Sequence, residues 1–147
     1  MAVAVACQTA QRPDEPPGTA AGSTTLTRID TTPASGGVTL TLDRASYAPG
    51  APVTMRITSQ TRDTLGFNQC SSRTIERQEG NGWVPVREPQ RMCTMELRLL
   101  MPNETQTATT DLPATLSAGT YRMVLRLGRQ STQGGEVRAV STPFRVT

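Results

Sequence analysis

From Gly37 onward the chain repeats one pattern, an apolar residue at every second position. Val38, Leu40 and Leu42 alternate with Thr39 and Thr41, and Val53, Met55 and Ile57 alternate with Thr54, Arg56 and Thr58. Met95, Leu97, Leu99 and Met101 alternate with Glu96, Arg98 and Leu100. Tyr121, Met123, Leu125 and Leu127 alternate with Arg122, Val124 and Arg126. A period of two puts one face of a strand on a core and the other in water. The charged outer positions predict antiparallel sheets rather than a parallel sheet covered on both faces. No stretch holds a helical period for three turns, so the expected class is all-β.

The punctuation between these runs fits strands joined by tight turns. Ala48-Pro49-Gly50 turns an early strand into the next. Glu79-Gly80-Asn81-Gly82 forms a hairpin tip between Thr74–Gln78 and Trp83–Arg87, with Gly and Asn expected to supply positive φ. Pro102-Asn103-Glu104 closes the Met95–Met101 strand, and Gln133-Gly134-Gly135 joins two late strands. Pro143 marks the last strand as an edge or a bulge, because it cannot donate to a ladder. About seven to eight strands at this spacing predict an immunoglobulin-like antiparallel β-sandwich over residues 37–147.

Two motifs sharpen that expectation. Leu116-Ser-Ala-Gly119-Thr-Tyr121 resembles the tyrosine corner that opens the penultimate strand of many immunoglobulin-like sandwiches. Tyr47-Ala-Pro49-Gly50 resembles the turn between the first strands of bacterial immunoglobulin-like domains. The resemblance implies structural roles for Tyr47, Gly50, Leu116, Gly119 and Tyr121. It says little about function, because this fold hosts many unrelated ones.

The front of the chain has a different character. Ala4-Val5-Ala6-Cys7 resembles the lipobox that ends a bacterial lipoprotein signal, which implies lipidation of Cys7. Ala4 stands where Leu or Val is usual, and the apolar run is short, so residues 1–7 are expected to be the remnant of a signal that starts upstream. Residues 8–36 are rich in Thr, Ala, Pro, Gly and Ser, with Leu26 and Ile29 as the sizeable apolar side chains. Such a segment buries too little surface to offset its ordering entropy, and it is expected to be a disordered tether. A lipidated Cys, a polar tether and a sandwich imply a cell-envelope location, periplasmic or surface-exposed, with the lipid as the membrane contact.

The composition removes whole classes of chemistry. All 15 basic residues are Arg, and neither Lys nor His occurs. Ser-His-Asp triads, Cys-His dyads, Schiff-base lysines and His-ligated zinc are excluded. Met92-Cys93-Thr94-Met95 offers soft ligands of the kind that suit copper. With Met95, Met101 and Met123 on core parity, core filling is the better reading, and no metal or cofactor is expected. The acids from Asp43 to Glu136, Glu76 and Glu88 included, lie in no motif and are read as solvated charges, so no catalytic residue is assigned. With Cys7 taken by lipid, Cys70 and Cys93 are expected to form a disulfide across the hairpin. Trp83 lies inside the clipped segment and is expected to pack against its base.

What remains is a binding or structural module. The net charge of +3 is too small to argue for nucleic acid, and its excess lies near the C-terminus. Arg122 and Arg126 share parity on one strand, and Arg138 lies on its hairpin partner. This cluster is the candidate surface of a monomeric domain for an acidic polysaccharide, lipid headgroups or an acidic protein, gripped through bidentate bonds. An alternative is a small proteinase inhibitor. Trp83 and Gly119-Thr-Tyr121 resemble the layout of the bacterial intracellular proteinase inhibitors, with Glu79–Gly82 or Pro85–Met92 as the exposed loop.

Overall fold

The computed structural model describes residues 36–147. Cys7 and the tether expected over residues 8–36 lie outside the described residues, Gly36 excepted. The described chain is all strand and loop, in two packed sheets. The smaller sheet holds β1 (Val38–Leu42), β3 (Pro52–Ser59) and β8 (Thr105–Asp111), in the order β1-β3-β8. The larger is built around β9 (Gly119–Arg129), with β2 (Ser46–Tyr47), β4 (Leu65–Phe67), β5 (Arg73–Glu79), β6 (Gly82–Pro85), β7 (Arg98–Leu100), β10 (Glu136–Val140) and β11 (Phe144–Val146).

The expected sandwich is present, in eleven segments rather than seven or eight. Interruptions make the difference. The final strand divides into β10 and β11 around Ser141-Thr142-Pro143, where proline breaks the ladder. Pairing is antiparallel with one exception, the short parallel contact of β11 with β2. The core lies between the sheets, and the alternating residues of β1, β3 and β9 fill it: Val38, Leu40, Val53, Met55, Ile57, Tyr121, Met123, Leu125 and Leu127 are all buried. On the outer face of the smaller sheet, Thr58 and Thr105 pair across strands through their hydroxyls at 3.0 Å.

The turns follow their residues. Gly50 takes φ +76° after Pro49, and Ala51 N donates to Ala48 O at 3.1 Å. That is a type II turn, which needs glycine at its third position. The hairpin tip is a two-residue loop, Gly80-Asn81, in which Gly80 alone has positive φ. The expected positive φ at Asn occurs instead at Asn103, after Pro102, where Glu104 N donates to Met101 O.

One strand departs from its expected parity. The run Met95–Met101 yields only the three residues of β7, and their register sets Leu100 opposite Leu65 in the core. Met95, Leu97, Leu99 and Met101 are consequently exposed, and only Met123 of the three expected core methionines is buried. Residues 86–97 adopt no regular strand, because they are fastened elsewhere, as described next.

Candidate functional site

Both tyrosines are fixed by their hydroxyls. Tyr121 donates to Ser117 O at 2.8 Å, the geometry of a tyrosine corner, and Leu116 is buried beside it. A Cβ at Gly119 would stand 3.3 Å from the Tyr121 ring, so glycine permits the close turn. Tyr47 donates to Asp43 Oδ1 at 2.8 Å and accepts from Arg44 N at 3.0 Å. Burial, then the hydrogen bond to the Asp43 carboxylate, pushes the Tyr47 phenol up to about 12. Desolvation works against ionisation of Asp43, but hydrogen bonds from Thr54 N, Tyr47 and Arg44 outweigh it and hold its carboxyl below the usual range.

The arginine cluster sits on the outer face of the larger sheet. Arg122 and Arg126 both point there from β9, and Arg138 of β10 lies directly opposite Arg126. Glu76 of β5 lies opposite Arg122 and receives Arg122 at 2.6 Å and Arg138 at 2.9 Å on its two oxygens. Arg126 has a looser partner, Glu136 at 3.9 Å. Trp83 is on this face too, with the Arg122 guanidinium 4.4 Å from its ring centroid. Trp83 therefore packs against the charged face. Glu76 is also no solvated charge, since its side chain is 12% exposed between two guanidinium groups.

A second region carries the clip. Cys70 and Cys93 are joined, with Cα atoms 5.6 Å apart, and tie the β4–β5 connection to the segment between β6 and β7. Three further contacts hold that segment. Val86 N donates to Ile75 O at 2.8 Å, and Asn68 Nδ2 donates to Thr94 O and Glu96 O. Glu88 Oε2 accepts from Arg73 and from Arg91, both at 2.8 Å. The Arg73 side chain is wholly buried, and its Nε and Nη1 have no hydrogen-bond partner among the described residues. Sequence reasoning missed this pair because Arg73 falls on the core parity of β5, opposite Leu125, where an apolar residue is the norm.

The fastened segment presents its apolar residues outward. Met92 is 102% exposed and Met95 99%, and Leu97, Leu99 and Met101 continue the stripe at 47–58%. Beside it lie a shallow cleft of about 200 Å³ lined by Asn68, Arg91, Glu96 and Thr110, and one of about 300 Å³ lined by Pro89, Leu112, Pro113 and Ala114. These are at or below the low end of small-ligand sites, roughly 300–1,000 Å³, so the stripe is the more telling feature. Among the described residues no group of three or more Cys, Asp or Glu is placed to hold a metal ion. None of the described residues forms a helix long and apolar enough to cross a membrane.

The chain aligns with several solved structures at low identity. A structural-genomics target designated SoR45 aligns at 16% identity and TM-score 0.47, covering 76% of this chain and 87% of that one. The sporulation control protein Spo0M of Bacillus subtilis aligns at 15% and 0.39, covering 75% and 47%. The archaellum periplasmic stator protein FlaG of Sulfolobus acidocaldarius aligns at 15% and 0.37, covering 70% and 98%. No curated protein matches the chain. The family model described as a bacterial Ig-like domain matches residues 34–143, three quarters of the chain, and the paired sheets, the tyrosine corner and the Pro-Gly turn agree with it: the chain belongs to the bacterial Ig-like domain family.

Proposed function

We propose that the chain is a lipid-anchored extracytoplasmic binding module, non-catalytic, that engages a protein partner through the apolar stripe Met92–Met101. One observation carries this reading. Five large apolar side chains stand in solvent on a segment that a disulfide and a buried ion pair hold in place. Large apolar side chains exposed along one short segment point to an interaction site, and thioethers adapt to a partner's contour. Fixing the segment in advance removes part of the ordering cost of binding. The disulfide suits an oxidising compartment, and Ala4-Val5-Ala6-Cys7 supplies the anchor. Inhibition of a serine protease is the alternative, with Glu79–Gly82 or Pro85–Met92 as the presented loop, and a panel of serine proteases tests it: no stoichiometric inhibition removes it.

The test is photo-crosslinking in the cell envelope, from a photoreactive residue at position 92 or 95 and from the exposed turn residue Gln133 as control. A discrete protein adduct from positions 92 and 95, absent at 133, is expected. Equal adducts from all three positions, or none, refutes the reading. Lipid labelling lost in Cys7→Ser is expected for the anchor, and unchanged labelling refutes it.

A second reading places an acidic polysaccharide on the Arg122, Arg126 and Arg138 face. It is favoured by the side-chain exposure of Arg126, 61%, and Arg138, 43%, despite their carboxylate partners. Retention on an acidic polysaccharide matrix that survives the triple Arg→Ser change removes it.

A further inference from the structure

The five described methionines fall into two sharply separated groups. Met55 and Met123 are wholly buried between the sheets, whereas Met92 and Met95 are exposed over essentially their whole surface, with Met101 in between. The two exposed thioethers flank Cys93, whose sulfur is already engaged with Cys70 and offers no competing thiol. The segment between Glu88 and Glu96 is pinned at both ends, by Arg73 to Glu88 and by Asn68 to the carbonyls of Thr94 and Glu96. The pair thus stands in solvent on a segment pinned on both sides of it.

We propose that Met92 and Met95 form a paired site of reversible oxidation by peroxide. With peroxide, a thioether lone pair attacks one peroxide oxygen. The O–O bond breaks as the S–O bond forms. The sulfur is oxidised by two electrons, the peroxide is reduced, and water leaves carrying both peroxide protons. The product sulfoxide is polar and accepts hydrogen bonds, so a double conversion breaks the apolar stripe at its most exposed end. Methionine sulfoxide reductases reverse the change, one enzyme for each sulfoxide epimer: a dithiol donor is oxidised to a disulfide, the sulfur returns to the thioether, and the oxygen leaves as water. The consequence for partner binding rests on the docking function proposed above, but the site itself rests on exposure alone.

The experiment treats the whole chain with limiting hydrogen peroxide and follows each methionine by peptide mass mapping. Retention on phenyl-agarose reports accessible apolar surface in parallel. Met92 and Met95 are expected to oxidise at least tenfold faster than Met55 and Met123. Retention should fall with their conversion and recover after treatment with both reductases. Met92→Leu/Met95→Leu keeps the stripe apolar, and its retention should not respond to peroxide. Comparable rates at Met55 and Met123 overturn the proposal, as does retention that ignores conversion of the pair or falls equally in the leucine variant. A failed docking reading gives a different pattern, with selective oxidation intact and no crosslinked partner.

Discussion

Removing the carboxylate of Glu88 should destabilise the domain far more than removing the arginine it serves. Arg73 is wholly buried, and its one charged partner among the described residues is Glu88 at 2.8 Å. Glu88→Gln leaves a buried guanidinium without a counter-charge. Breaking a buried pair in this way costs about 3–5 kcal/mol. The low end applies, because Glu88 is 12% exposed and glutamine still offers an acceptor oxygen. At about 4 °C per kcal/mol for a domain of this size, the expected fall in Tm is about 12 °C. Arg73→Met differs in kind. It deletes three nitrogens, two of them without partners among the described residues and one bonded to Glu88, and places an apolar chain opposite Leu125, while Glu88 keeps Arg91. Its loss should be clearly smaller than that of Glu88→Gln, because the carboxylate left behind is partly exposed and still paired with Arg91, whereas a stranded guanidinium would be wholly buried without a counter-charge. Denaturant unfolding of both variants, with the disulfide intact, measures the difference. Near-equal losses, or a larger loss for Arg73→Met, would refute the assignment of Arg73 as a desolvated charge that depends on Glu88.

Further outcomes follow from the same contacts. Replacing Cys70 and Cys93 together by Ala opens a loop of about 24 residues and should cost about 3 kcal/mol in the chain-entropy model, measured by denaturant unfolding. Tyr121→Phe loses the bond to Ser117 O and should cost about 1 kcal/mol by the same assay, leaving the sandwich intact. The Tyr47 phenol is raised in the fold, so its contribution to stability is complete below about 10, its ordinary value, and is lost as pH rises through about 12. A phenolate absorbance step for Tyr47 near 10 in the folded protein would contradict that. Asp43 behaves in the opposite sense: its contribution is present above its ordinary value of 3.8 and is lost as pH falls below it, which acid unfolding of Asp43→Asn against the parent should reveal.

The strands legible in the sequence are those whose alternation has charged or hydroxyl residues on the outer face. In β3, Val53, Met55 and Ile57 face the core, and Arg56 leaves no doubt about parity. β7 lacks that contrast. Leu99, Leu100 and Met101 are consecutive apolar residues, so either parity is available, and choosing Leu99 and Met101 keeps Glu96 and Arg98 out of the core. The structure resolves the conflict by pairing only Arg98–Leu100 and leaving Glu96 in the fastened segment. The disulfide was expected from the even pair of cysteines, and the consequence of its position was not. A bridge at Cys93 anchors the chain two residues before Met95, which works against a strand beginning there. The Glu76 network was hidden for another reason. Its partners come from β9 and β10, 46 and 62 residues away, and only the register of the sheet brings them together. Arg73 gave the least signal of all, since a buried arginine is recognisable only once its partner on a different segment is known.

The most direct test of the stripe as the binding surface is calorimetry with the partner captured by crosslinking from positions 92 and 95. Met92→Ser/Met95→Ser removes two exposed apolar side chains, each contributing about 1.5 kcal/mol or more when fully buried at an interface. The combined loss of about 3 kcal/mol is a weakening of more than a hundredfold in Kd. The Arg122, Arg126 and Arg138 triple Ser variant, altered on the other surface, should bind as the parent does. Undiminished affinity in the Met variant, or a comparable loss in the Arg variant alone, would contradict the account.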